Sequence, residues 1–169
     1  MKIYLLANNF PFGRGETFIK DELESIVFSQ KEISICPLEY KGKKKETEYK
    51  NVVLTPSLKQ KDWLAILFNC IHCRPLLKEI RSLVYSKNIH LNTIKRAIVF
   101  WVFANIKKRQ IELIIEQENC TESQIVCYSY WASTTALAIV LLKKDKKVLG
   151  ISRAHGIDLY EERHRYEYL

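Results

Sequence analysis

Apolar and polar positions along this chain change period several times, and each change marks an element. Lys2–Ala7 is an apolar run of strand length. From residue 16 to 29 the apolar residues Phe18, Ile19, Leu23, Ile26 and Val27 recur at the spacing of one helical face. Glu32–Pro37 and residues 51–55 read as two short strands, separated by the polar segment 41–50, which reads as a surface loop. The middle is helical by pattern: 62–68 and 76–85 on either side of Pro75, then 91–116. Its densest apolar run, 97–104, is far shorter than the ~20 residues of a membrane-spanning helix. Beyond it, 124–128 reads as a strand, 131–142 as a helix rich in Ala, Leu and Ile, and 147–152 as a strand.

Strands that alternate with helices favour a parallel sheet, because each crossover must return the chain to the edge of the sheet from which it left. The expected fold class is therefore α/β: a Rossmann-like, mostly parallel sheet with helices on both faces. A length of 169 residues suits one domain, and 47% apolar residues supply a core, which argues against an intrinsically disordered chain. The apolar start at Met1–Ala7 is too short for a secretory h-region, so a cytoplasmic location is expected. Cys36, Cys70, Cys73, Cys120 and Cys127 are odd in number and irregularly spaced, and they read as reduced thiols.

The net charge of +8 comes largely from clusters: Lys41, Lys43, Lys44 and Lys45; Lys107, Lys108 and Arg109; and Lys143, Lys144, Lys146 and Lys147. Such clusters attract phosphate-bearing partners, whether nucleotide, anionic lipid headgroup or nucleic acid, without choosing among them. No basic motif with interleaved aromatics marks a specific nucleic-acid site. Residues 94–109, apolar in the middle with bases at both ends, fit an anionic membrane surface or a core helix with solvated ends.

In a parallel sheet the segments 10–16, 129–133 and 153–158 fall at strand C-terminal ends, the edge where open α/β sheets hold ligands. Gly13 and Gly15 open a helix, where backbone N–H groups can approach an anion, with Glu16 beside them. The plainer reading is a tight turn through Pro11, Gly13 and Gly15, since the spacing is not G-x-G-x-x-G, and a Glu16 favoured only by the helix dipole. His155, with Arg153 and Asp158 nearby, could orient a substrate hydroxyl or phosphate while Arg153 binds an anionic group. Alternatively Gly156 makes a turn, His155 is a loop residue and Asp158 caps the next helix. Tyr130 and Trp131, after Ser129, suit sugar stacking or simple packing. Cys70-Ile71-His72-Cys73 has no second pair at ligand spacing, so it reads as core or surface thiols rather than a metal site.

Taken in order, F-P-x-G-x-G-E-T-F at 10–18, Y-S-Y-W at 128–131 and R-A-H-G-x-D-L-Y at 153–160 resemble the N-terminal half of bacterial family 4 glycosyltransferases. The likeness is to those that build capsular and extracellular polysaccharides, and between residues 40 and 120 it holds by residue type rather than by motif. The resemblance implies a GT-B enzyme of two Rossmann-like domains, the first holding mainly the acceptor and the second the nucleotide-sugar donor. It implies transfer with retention and no metal or other cofactor. Gly13, Gly15 and Glu16 match the glycine loop beside the donor phosphates and acceptor. His155 matches the histidine on the acceptor side of the cleft, and Arg153, Gly156 and Asp158 match its neighbours. Tyr130 and Trp131 fall in the middle motif as substrate-binding candidates.

The resemblance departs in extent. The family's donor-binding carboxylate motif and diphosphate-binding bases belong to a second domain, so residues 1–169 are expected to be a truncated acceptor-side domain, inactive alone. The partners implied are a nucleotide-sugar donor held through that other domain, a saccharide or lipid-linked acceptor and an anionic membrane surface, but no specific nucleic acid. A stand-alone Rossmann-like binding module, or a subunit completed by a separate donor-domain chain, is the alternative reading.

Overall fold

The computed structural model describes residues 1–12, 16–27, 32–38, 52–53, 58–71, 73–85, 91–117 and 124–155. Four strands, β1 (Lys2–Ala7), β2 (Glu32–Pro37), β3 (Ile125–Ser129) and β4 (Leu149–Ser152), form one sheet in the order β2-β1-β3-β4. Every pairing is parallel, with Leu5 opposite Ile35 on one side and Tyr128 on the other, and Tyr128 opposite Ile151. The strand expected at 51–55 is represented by Val52, which bridges Ile35 in parallel, and by the Val53 N–H that donates to the Ile35 carbonyl at 2.9 Å. The fold is therefore the expected α/β, Rossmann-like one. The chain leaves β1 toward β2 and returns to the other side of β1 as β3, which makes the β1/β3 junction a topological switch point.

Among the described residues five helices accompany the strands: α1 (Ile19–Val27), α2 (Gln60–Ile71), α3 (Arg74–Tyr85), α4 (Leu91–Gln117) and α5 (Thr134–Leu142). Strand residues alternate between the faces, and both faces of β1 and β3 are covered, which is why those two strands are apolar almost throughout, whereas on the edge strand β4 Leu149 and Ile151 are exposed. Tyr4, Leu6, Cys36, Ile125 and Cys127 pack against Ile111, Ile114 and Ile115 of α4 and Ala138, Ile139 and Leu142 of α5. On the other face Leu5, Ala7 and Ile35 pack with Ile19 and Leu23 of α1 and with Tyr130. β4 lies close to α5: a Cβ at Gly150 would stand 2.5 Å from Ile139 Cγ2, so glycine is what permits the approach.

Two helices start about three residues later than their apolar spacing suggests, for local reasons. Glu16 has φ of 56°, in the left-handed region, so a right-handed helix cannot include it. Ser133 is extended (φ −118°, ψ −150°), and Ser129 Oγ donates to the Trp131 carbonyl at 2.5 Å, which holds 130–133 as a loop ahead of α5. Among the described residues no helix is long and apolar enough to cross a membrane.

The basic run at 107–109 is not a patch of free charge. Lys107 is buried, Lys108 pairs with Asp145 and with Glu112, and Arg109 meets Asp62, Glu112 and Glu116. Asp62 in turn caps α2, accepting from the Lys59 N–H at 2.9 Å, and Arg109 Nε donates to its other oxygen at 2.8 Å. The Arg109 guanidinium, followed by the Lys59 amide, holds the Asp62 carboxyl below its ordinary range. This cluster joins α2 to α4 in place of the solvated helix end or phosphate-attracting patch its sequence suggests.

Candidate functional site

The C-terminal edge of the sheet is organised by the Glu16 carboxylate. As β1 ends, the backbone N–H groups of Asn8, Asn9 and Phe10 all turn toward it, at 3.2, 2.8 and 2.9 Å. Trp131 Nε1 donates to the same side chain at 2.6 Å. Four donors thus converge on two oxygens, an arrangement in which successive N–H groups form an anion-holding concavity. Glu16 binds the loop after β1 to the loop after β3, and the anion in this concavity is the protein's own.

Trp131 carries the arrangement into an aromatic cluster. Tyr130 is buried and stacks on the exposed Phe18 at 5.4 Å between ring centroids. The His155 imidazole lies 4.5 Å from the Trp131 ring and 4.9 Å from the Tyr130 ring. Its Nε2 is 3.1 Å from the Tyr130 carbonyl oxygen. A carbonyl only accepts, so Nε2 carries the proton in that bond and Nδ1 is the acceptor nitrogen of the neutral ring.

At the rim, Arg153 is held by its backbone and by its side chain. Its N–H donates to the Ser129 carbonyl at 3.0 Å, continuing the β3–β4 ladder. Its guanidinium pairs with Glu22 of α1 and lies 5.5 Å from the centre of the Tyr130 ring. The Tyr128 hydroxyl donates to the other Glu22 oxygen. Burial, reinforced by that bond, pushes the Tyr128 phenol well above its ordinary range, and the Glu22 charge raises Arg153. Both groups therefore keep their protons at neutral pH.

Two charged residues here escape a reading of the sequence. Glu22 lies one turn from Ile19 and beside Leu23, so it sits on the inner side of α1. Lys107 belongs to the α4 face that includes Ala104, Ile111 and Ile114 and is 7% exposed. Its Nζ donates to Thr135 Oγ1 at the start of α5 (3.0 Å) and to Asn8 Oδ1 (3.3 Å), placing a cation at the switch point. The signal in both cases is a charge at an apolar helical position.

The edge thus brings together Glu16, Tyr130, Trp131, Arg153 and His155, with Lys107 joined through Asn8. Gly13, Gly15, Gly156 and Asp158 lie outside the described residues. Tyr130 is buried and backs the cluster, so the aromatic faces open to a sugar ring are those of Phe18 and Trp131, beside an imidazole nitrogen for a hydroxyl and the Arg153 guanidinium for negative charge, with the Lys107 ammonium buried behind them. Among the described residues no group of His, Cys, Asp and Glu side chains could hold a metal ion. Comparison with protein-family models, curated proteins and solved structures finds no match to this chain.

Proposed function

We propose that this chain is the acceptor-side domain of a retaining GT-B glycosyltransferase. In this reading it works opposite a donor-holding domain and passes a sugar from a nucleotide-sugar to a saccharide or lipid-linked acceptor of a cell-surface polysaccharide. The observation that carries the reading is His155 seated between Tyr130 and Trp131 at the sheet edge beside the switch point. An aromatic wall stacks on the C–H face of a sugar while a fixed imidazole orients one hydroxyl. Arg153 at the rim and Lys107 deeper in supply positive charge to the wall of a cleft in which a diphosphate must leave. Glu16 acts by holding the two loops in place. Gly13, Gly15, Gly156 and Asp158 are assigned to the same substrate site by the resemblance of their motifs.

One wall of such a cleft does not complete the chemistry, so the isolated chain is expected to be inactive. The test uses the enzyme with both domains, assayed for nucleoside diphosphate release from a panel of UDP- and GDP-sugars with a lipid extract as acceptor source. His155→Ala should lower turnover at least tenfold with an unchanged circular dichroism spectrum, by loss of a polar contact to the reacting sugars. Unchanged turnover removes His155 from the site, and no release from any sugar nucleotide overturns the transfer reading.

A further inference from the structure

Helix α2 turns its apolar side outward. Asp62, Ile66 and Cys70, at four-residue intervals, form its buried stripe, while Trp63 (45% exposed), Leu64 (63%), Leu67 (51%) and Phe68 (62%) face away from it. The helix is held this way round by the Asp62 cap and the Arg109–Asp62 pair. Helix α3 buries Leu76 and exposes Arg74, Lys78 and Arg81 at helical intervals, with Leu77, Val84 and Tyr85 beside them. Among the described residues none of these three bases meets a carboxylate. Between positions 59 and 87, which include both helices, the sequence has six Lys and Arg but only two acids, Asp62 and Glu79.

We propose that α2 and α3 form a docking surface for an anionic lipid bilayer. Trp63, Leu64, Leu67 and Phe68 enter the boundary between headgroups and acyl chains, and Arg74, Lys78 and Arg81 meet lipid phosphates. The charge selects this occupant. A second copy of the same surface would set like charges against one another, whereas an anionic bilayer satisfies the bases and the apolar side chains together. The surface differs from the one the sequence suggests, residues 94–109, whose distal bases are engaged inside the protein. The proposal rests on exposure and charge and not on sugar transfer, so its failure leaves the transfer reading standing.

The test is sedimentation of the full chain with phosphatidylcholine vesicles, with and without phosphatidylglycerol. Partition is expected only with the anionic lipid. Trp63→Ser with Phe68→Ser should lower it about tenfold or more, from the apolar area withdrawn. Arg74→Gln, Lys78→Gln and Arg81→Gln together should lower it about a hundredfold, roughly fivefold for each base. A thermal midpoint within a few degrees of the parent shows that each variant is folded, so that lost partition reports the surface and not the fold. No partition at low salt, or partition unchanged in both variants, overturns the proposal. So does a dimer in lipid-free solution that Trp63→Ser with Phe68→Ser abolishes while vesicle partition persists.

Discussion

Replacing Glu16 by Ala removes the acceptor for four N–H donors at once. Three of the bonds are short, at 2.6, 2.8 and 2.9 Å, and the Asn8 bond is longer at 3.2 Å. Hydrogen bonds to a charged group contribute about 1.5–3 kcal/mol each, but Glu16 is only half-buried and water replaces part of what is lost. Counting about 1 kcal/mol per bond gives an expected loss of about 3–4 kcal/mol. Ala keeps the strain of φ 56°, whereas Gly relieves it, so Glu16→Gly should be less destabilised than Glu16→Ala by about 1 kcal/mol. Glu16→Gln retains one acceptor oxygen but turns an NH2 toward at least one N–H donor, so it should fall between parent and Glu16→Ala. The assay is urea unfolding, with the Trp131 indole N–H resonance followed by NMR. A loss below about 1 kcal/mol with that resonance unmoved would refute the clamp.

Alkaline pH and packing give two more expectations. Burial pushes the Cys127 thiol up to about 12, while an unfolded thiol ionises near ~8.5–9. The sign follows: the folded state holds its proton longer, so this contribution is flat below the unfolded pKa and stability falls as pH rises from there toward the folded value. The loss should be about 1.4–1.9 kcal/mol between pH 8 and 10, and Cys127→Ala, measured by urea midpoints, should flatten that part of the slope; equal slopes in both proteins count against the burial argument. Gly150→Ala should lower stability by about 1–3 kcal/mol through the clash with Ile139, and less when combined with Ile139→Ala; simple additivity of the two losses would show that they do not share the contact.

The strands, the presence of α2 and α3 and the extent of α4 were legible because each is announced by its own local pattern; α2, read as 62–68, runs from Gln60 to Ile71, and α3 begins at Arg74, with Pro75 tolerated in its first turn. Lys2–Ala7 stands where its apolar run lies, since burial on both faces leaves no polar alternation to misread, and Glu32–Pro37 is marked by Ile33, Ile35 and Cys36 around a buried Ser34. The starts of α1 and α5 were not legible, because Glu16 and Trp131 are withheld from those helices by a bond between two distant loops. The same holds for the charges of the site. Glu22 meets Tyr128 and Arg153 from 106 and 131 residues away, and Lys107 meets Asn8 across 99. Composition marks such residues as surface charge, and only long-range geometry turns them inward. The meeting of Glu16, Tyr130, Trp131, Arg153 and His155 at one edge was legible to the extent that a parallel sheet gathers its strand C-termini there.

The strand order has a consequence for the growing polypeptide. The central strand β1 pairs with β3 in a register that sets Lys2 against Ile125, so one edge of β1 waits for its partner until all the residues between them have been made. At about 5–20 residues per second of synthesis, that edge waits on the order of ten seconds after leaving the ribosome. Meanwhile Ile3, Leu5 and Ala7 are in an apolar strand with one bare ladder of backbone groups, the template that recruits other chains. A topology that places the site at the centre of the sheet therefore also makes the nascent chain a natural client for chaperones until β3 arrives.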